Sequence, residues 1–164
     1  MKKRILIVED EEKLRRVIEL QLTSAGFERD KAGTAEQGLK VVDRADLVLT
    51  DLRLPGMDGL DLLARIRQQN AVVPVIVMTA FGTIETAVGA MKAGATDFLL
   101  KPFSLDHLMT VVNKAMDLMG AFGYSRMGDL EKYWRDSKIM SLWMGGRGLA
   151  QLDIARWFFQ AESY

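Results

Sequence analysis

Side chains that could bind or transfer a phosphoryl group follow several short apolar runs of the sequence. They are Glu9 and Asp10, Asp51, Thr79 and Lys101. If each run is a strand of one parallel sheet, these residues meet at its carboxyl edge. Carboxylates gathered there repel one another, and a hard divalent cation, best Mg²⁺, relieves that repulsion. The ammonium and hydroxyl suit phosphate oxygens, so the set predicts phosphoryl-transfer chemistry.

A less specific interpretation is that each acidic residue is a turn former or a helix cap. That role is common for one carboxylate after a buried strand. Capping alone, however, would rarely place Glu-Asp, Asp, Thr and Lys at four strand ends of one sheet. The histidine of the sequence, His107, falls near the start of the last predicted helix. We expect it on the helix surface, without a catalytic role.

The elements that position these residues can be predicted from the apolar pattern. Runs without alternation suit central strands covered on both faces, and the charged stretch 27–32 suits an edge strand. Stretches with apolar residues at helical spacing lie between them. The pattern implies a doubly wound five-stranded parallel sheet, (βα)5, with right-handed crossovers. The predicted strands are 5–8, 27–32, 47–49, 75–78 and 98–100, and the predicted helices are 14–22, 35–42, 60–66, 84–91 and 105–116.

The composition excludes several functional classes. The 164 residues are 49% hydrophobic and 27% charged, which is typical of a globular protein with one domain and an appendage. Their 22 basic and 22 acidic side chains leave no net charge to coat nucleic acid or an anionic membrane. The lack of cysteine excludes disulfides and thiolate chemistry and is compatible with a cytoplasmic protein. No apolar run reaches the length of a membrane-spanning helix.

Residues 120–164 differ in composition from the rest. Nine of the 13 aromatic residues, including every Trp and Tyr, follow residue 120, where Gly120 and Gly123 interrupt the helical pattern. We therefore predict a body of residues 1–119 and an aromatic-rich helical tail of residues 120–164. The apolar groups of the tail must be buried, either on the body or in an interface with a second copy or a partner. Its nearly balanced charge argues against direct DNA binding.

Over residues 3–119 the sequence resembles the response-regulator receiver domains of bacterial two-component signalling, which have a flavodoxin-like fold. Four blocks carry the resemblance, in order at the predicted strand ends: 5–11 (ILIVEDE), 51–59 (DLRLPGMDG), 78–81 (MTAF) and 97–103 (DFLLKPF). Residues 80–95 are most similar to receivers of nitrogen-regulation type transcription activators, which usually precede an ATPase and a DNA-binding domain. The 45 residues after residue 119 are too few for such an ATPase domain and contain no Gly-rich phosphate loop.

The resemblance implies a role for each residue at the strand ends. Asp51 would accept a phosphoryl group from a histidine kinase or a phosphotransfer protein. Glu9, Asp10, Asp51 and the backbone carbonyl of Arg53 would hold Mg²⁺. Lys101 would pair with the acyl phosphate. Residues 1–119 would then form the receiver domain.

The resemblance also implies a switch. Thr79 would move toward the phosphoryl oxygens, and Phe98 would rotate into the space left behind, although Phe98 could equally be an ordinary core aromatic. The Lys101–Pro102 peptide bond would be cis. Gly59 would open the third helix.

The function predicted from this resemblance is a signalling switch rather than an enzyme. Phosphorylation would change the surface formed by the fourth helix, fifth strand and fifth helix, where a partner or a second copy binds. One alternative is a Mg²⁺-dependent aspartyl-phosphate phosphatase or phosphotransferase. Such enzymes usually carry a second Asp two residues after the nucleophile, where this sequence has Arg53. Another alternative is a phosphorylation-independent scaffold. The complete set of acidic residues, Glu9, Asp10 and Asp51, argues against it. Arg53 and Phe81 would flank the attacking water without orienting it, so we expect slow self-dephosphorylation.

Overall fold

Strands and helices alternate in the order that the sequence predicts. The computed structural model describes residues 2–69, 72–80 and 82–122, with backbone alone for residues 119–122. The strands of this part are β1 (Arg4–Val8), β2 (Glu28–Ala32), β3 (Leu47–Asp51), β4 (Val75–Thr79) and β5 (Asp97–Leu100). The α-helices are α1 (Glu12–Ser24), α2 (Ala35–Leu39), α3 (Gly59–Gln69), α4 (Ile84–Lys92) and α5 (Leu105–Phe122), and a short 3-10 helix covers Val42–Arg44.

The strands form one parallel sheet in the order β2-β1-β3-β4-β5. This topology confirms the predicted doubly wound, flavodoxin-like fold, and the charged strand β2 lies at an edge as expected. The strand order reverses between β1 and β3, the point at which open α/β sheets bind ligands. In the register, Val8 pairs with Thr50 of β3, and Asp51 pairs with Met78 of β4. The carboxyl ends of the central strands are therefore level.

Helices cover both faces of the sheet, and each face has its own apolar core. Along β1, Ile5 and Ile7 face the core beneath α1 and α5, whereas Leu6 and Val8 face the core beneath α2, α3 and α4. All four side chains are fully buried. Burial on both faces explains why the strand sequences are continuously apolar.

The helix predicted over residues 35–42 is wrong in its extent. α2 ends at Leu39, and the chain continues in tighter turns with i→i+3 hydrogen bonds. The N–H of Val41 donates to the Gly38 carbonyl at 3.1 Å, and that of Ala45 donates to the Val42 carbonyl at 3.0 Å. These turns still bury Val42 completely, which is why the apolar spacing resembles that of a longer helix.

Helix α5 is longer than predicted. It runs to Phe122 and passes through Gly120, where we expected the helical pattern to stop. A glycine inside a helix costs about 1 kcal/mol relative to alanine, which adjacent helix-forming residues offset. The tail predicted over residues 120–164 lies outside the described residues from residue 123 onward. Among the helices described here, none is long and apolar enough to cross a membrane.

Candidate functional site at the carboxyl edge of the sheet

The ends of β1, β3 and β5 bring four charged residues together. Glu9 and Asp10 follow β1, Asp51 is the last residue of β3, and Lys101 follows β5. One carboxylate oxygen from each of Glu9, Asp10 and Asp51 lies within 4.8 Å of the other two. Glu9 is fully buried and Asp51 is 8% exposed, whereas Asp10 is exposed. The sequence predicted this group of carboxylates, and the structure brings it together.

Lys101 bridges two of the carboxylates. Its Nζ donates to Glu9 Oε2 at 2.7 Å and to Asp51 Oδ2 at 2.7 Å. Its backbone N–H donates to the Thr79 carbonyl at 2.7 Å, which fixes Lys101 at the end of β4. The Lys101–Pro102 peptide bond is cis, as predicted. The ammonium therefore reaches from β5 to the ends of β1 and β3.

The charges of this cluster are unbalanced, because three carboxylates face one ammonium. Burial raises the pKa of the Glu9 carboxyl above its ordinary value of 4.5, although the hydrogen bond and charge of Lys101 oppose this shift. Burial lowers the pKa of Lys101, but its hydrogen bonds to Asp51 and Glu9 outweigh that effect and leave the pKa above 10.5. Lys101 is therefore cationic at neutral pH. Oxygen donors in excess of positive charge fit a hard divalent cation.

The chain around Asp51 is held by backbone contacts. Asp51 Oδ1 accepts a hydrogen bond from the Arg53 N–H at 3.2 Å, and the Leu52 N–H donates to the Met78 carbonyl at 2.8 Å. Gly59 opens α3, as predicted, and its N–H donates to the Leu52 carbonyl at 2.8 Å. A Cβ at Gly59 would lie 2.1 Å from the Asp51 carbonyl oxygen. Only glycine permits this close approach behind Asp51.

The structure also locates the other residues to which the sequence assigned roles. Thr79 ends β4 and is 2% exposed. Phe98 pairs with Val77 in the sheet and is half-buried rather than enclosed in the core. His107 is exposed in the first turn of α5, which agrees with its expected surface position. Phe81 lies outside the described residues.

Two contacts near the site were not predicted from the sequence. A guanidinium nitrogen of Arg15, on α1, donates to the backbone carbonyl of Glu9. Glu36 Oε1, at the start of α2, accepts a hydrogen bond from the Met57 N–H at 3.3 Å. In the sequence, Glu36 follows the helix cap Thr34 and has the pattern of an ordinary first-turn acidic residue. Its proximity to the loop after Asp51 follows only from the way that α2 packs.

The strand order is that of the flavodoxin-like folds, which include CheY, and the carboxylates of Glu9, Asp10 and Asp51 form an acidic edge of this sheet. The protein family described as "Response regulator receiver domain" matches residues 5–113 of the chain. The chain therefore belongs to the response regulator receiver domain family, and its relatives include nitrogen-regulation type activators.

Individual relatives agree with this membership. The chain is 41% identical over 117 residues to the regulatory protein AtoC of Escherichia coli, covering 70% of this chain and 25% of AtoC. It is 42% identical over 115 residues to the DNA-binding transcriptional regulator NtrC of Klebsiella pneumoniae, covering 67% and 24%. The chain thus spans about a quarter of the length of these curated relatives.

Solved structures give the same result. NtrX from Brucella abortus, determined in complex with ADP, superposes with a TM-score of 0.71 at 38% identity, covering 76% of this chain and 29% of NtrX. The receiver domain of a LuxO repressor protein from Vibrio parahaemolyticus superposes with a TM-score of 0.72 at 29% identity, covering 76% of this chain and 97% of that domain.

Proposed function

We propose that the chain is a phosphorylation-dependent switch in which Asp51 accepts a phosphoryl group from a histidine kinase or phosphotransfer protein. The observation that carries this proposal is the surroundings of the Asp51 carboxylate. Asp51 Oδ2 lies 2.7 Å from Lys101 Nζ, and two further carboxylates lie within 4.8 Å. We place the chain in the cytoplasm, with the proposed phosphodonor.

The Asp51 carboxylate would act as the nucleophile in phosphoryl transfer. A carboxylate oxygen attacks the phosphorus of a phosphohistidine, so an O–P bond forms and the N–P bond breaks. The electron pair of the N–P bond returns to the imidazole nitrogen. Lys101 Nζ, which already contacts Oδ2, would exchange one carboxylate contact for a phosphoryl oxygen and offset part of its charge.

The residues of the acidic edge fit Mg²⁺. Glu9, Asp10, Asp51 and the Arg53 backbone carbonyl would hold the ion, because their oxygens outnumber the positive charges beside them. When bound, Mg²⁺ would neutralise charge on the phosphoryl oxygens during transfer. The backbone contacts of Arg53 and Gly59 hold the Asp51 segment in position for both roles.

We propose that the output surface is formed by α4, β5 and α5. Ile84 begins α4, Leu100 ends β5 and Leu105 begins α5, and these residues are 49%, 46% and 37% exposed. Exposed apolar side chains at one edge suit a partner or a second copy of the chain. Thr79 and Phe98 would connect the phosphoryl group to this surface, because Thr79 accepts the Lys101 N–H and pairs with Leu100, and Phe98 lies on β5.

The proposed role is that of an acceptor rather than a turnover enzyme. An aspartyl-phosphate phosphatase would need a general acid two residues after its nucleophile, and Arg53 stands there. No carboxylate takes that place, so we propose that the phosphoryl group is lost slowly. We do not propose that this chain itself binds DNA.

The test is incubation of the full chain with a small acyl phosphate and MgCl₂, followed by intact mass spectrometry. We expect one phosphoryl group on the parent and on the control Asp58→Asn, and none on Asp51→Asn or in the presence of EDTA. Asp58 is a suitable control because it lies in the same loop and caps α3 through the Asp61 N–H, a role that Asn can also fill. Equal labelling of the parent and Asp51→Asn would refute the assignment.

A further inference from the structure

The loop between β3 and α3 carries the proposed metal ligand Arg53, and both of its ends are fixed. At its start, the Arg53 N–H donates to Asp51 Oδ1. At its end, the Gly59 N–H donates to the Leu52 carbonyl, and Asp58 caps α3. Between these two ends lies the tip of the loop, at residues 55–57, where Pro55 and Gly56 are exposed and Met57 is half-buried.

Glu36 holds this tip from another element. Its Oε1 accepts a hydrogen bond from the Met57 N–H at 3.3 Å across 21 positions of the sequence. The adjacent Gly56 has a φ of +80°, and a Cβ there would lie 3.2 Å from Glu36 Oε1. Gly56 therefore allows both the turn and the close approach of the carboxylate.

The Glu36 carboxylate is ionised at neutral pH, because its pKa lies below the ordinary value. Hydrogen bonds from its own backbone N–H, from the Thr34 hydroxyl and from the Met57 N–H, together with the charge of Arg65, lower its pKa below 4.5. Thr34 is in turn the cap of α2 and accepts from the Gln37 N–H at 3.3 Å. The loop tip is thus attached to an ionised side chain on a capped helix.

We propose that Glu36 is a positioning residue for the metal site: by holding the Met57 N–H, it keeps the loop in the conformation that presents the Arg53 carbonyl. This inference depends on the proposed function, because it assumes that Arg53 is a ligand. Mg²⁺ requires nearly ideal octahedral geometry, so a ligand on a loose loop binds it less well. Residues that orient metal ligands are a recognised determinant of metal affinity.

The experiment compares Glu36→Ala, Glu36→Gln and a matched control in the full chain. Glu85 provides the control, because it lies two residues after the cap Thr83 of α4, as Glu36 lies two residues after Thr34. Among the described residues, Glu85 makes no side-chain hydrogen bond to another loop. Glu85→Ala therefore removes a carboxylate from the same helix position without releasing the β3–α3 loop.

Three quantities are measured: the Mg²⁺ dissociation constant by calorimetry, the hydrogen-exchange rate of the Met57 amide in EDTA, and the thermal midpoint. We expect Glu36→Ala to weaken Mg²⁺ binding by roughly three- to tenfold and to speed Met57 exchange by a similar factor. Glu36→Gln keeps an acceptor oxygen and should restore both quantities to near the parent values. Glu85→Ala should leave both unchanged, and all variants should unfold within a few degrees of one another.

Three outcomes would overturn the inference. They are an unchanged Mg²⁺ affinity in Glu36→Ala, equal losses in Glu36→Gln and Glu36→Ala, and equal losses in Glu85→Ala. If any of these occurs while the parent is still labelled at Asp51, the inference about Glu36 is wrong and the proposed function stands. Failure of the parent to accept a phosphoryl group would instead refute the proposed function.

Discussion

Glu9 and Glu19 are both buried glutamates, but their electrostatic surroundings are opposite. The Glu19 side chain, on α1, is 4% exposed and meets three cations. They are Arg16 at 3.2 Å, Lys31 at 3.4 Å and Arg29 at 4.0 Å. The Glu9 side chain is 1% exposed and shares the single ammonium of Lys101 with another carboxylate.

The difference shows that burial of a carboxylate does not by itself mark a functional site. At Glu19 the cations outnumber the carboxylate, so the protein supplies all the positive charge that the group needs. At Glu9 three carboxylates lie near the ammonium of Lys101, and we propose that a divalent cation from solution completes the balance of charge. The direction of the charge imbalance is therefore the property by which we separate the structural Glu19 cluster from the proposed metal site.

The largest expected effect comes from removing the ammonium of Lys101, which bridges Glu9 and Asp51. Lys101→Ala should still bind Mg²⁺, because the proposed ligands remain and a competing positive charge is gone. It should lose the conformational response of α4, β5 and α5 to an acyl phosphate, because Lys101 no longer contacts the phosphoryl group. Calorimetric titration with MgCl₂ and amide chemical shifts of the phosphorylated chain measure these two properties.

The exposed Lys40 serves as the control for Lys101, and Lys40→Ala should keep both properties. A large loss of Mg²⁺ affinity in Lys101→Ala would contradict the division of roles. An intact response of α4, β5 and α5 would contradict it as well.

The next largest expected effect is on stability, at the cluster of Glu19 and its three cations. Glu19→Ala should lower the free energy of unfolding by about 2 kcal/mol, because a buried carboxylate, its hydrogen bond from Arg16 and its two further ion pairs are lost. Its Mg²⁺ affinity should equal that of the parent. Urea unfolding and calorimetry measure these quantities, with the exposed Glu12→Ala on the same helix as the control. Weakened Mg²⁺ binding in Glu19→Ala would mean that the two clusters are not independent.

The smallest expected effect is a gain in the free energy of unfolding, where Glu19→Ala should show a loss. Folding raises the pKa of Glu9, so this carboxyl contributes stability that is present below pH 4.5 and is lost as the pH rises through the raised pKa. In EDTA at pH 7, Glu9→Gln should therefore be more stable than the parent by about 1 kcal/mol, while Lys101 keeps its contact with Asp51. The difference should vanish toward pH 4.

Urea unfolding of the parent and Glu9→Gln over this pH range measures the effect. Glu9→Gln should also bind Mg²⁺ more weakly. A variant that is less stable than the parent in EDTA at pH 7 would show that the Glu9 charge is already compensated without a metal.

The sequence predicted the sheet and its acidic edge because both follow from local pattern and topology. Continuous apolar strands require a parallel sheet, and such a sheet aligns its carboxyl ends. This reasoning brought Lys101 and Glu9 together across 92 positions of the sequence. It required no knowledge of side-chain rotamers.

The sequence did not predict the contacts that depend on helix packing. The Glu19 cluster and the contact of Glu36 with Met57 depend on how α1 and α2 are rotated against their neighbours. In the sequence, both glutamates have the pattern of solvated helical residues. The early end of α2 was missed for a similar reason, because Val42 is buried by a tighter turn that preserves the apolar spacing.

The most direct test is an amide NMR titration of the full chain with MgCl₂ at neutral pH. If the surplus of carboxylates at the acidic edge binds a divalent cation, we expect saturable shifts at Asp10, Asp51 and Arg53, and no shifts at Glu19 and Arg29. Shifts that do not saturate, or shifts at Glu19 as large as those at Asp51, would contradict this binding.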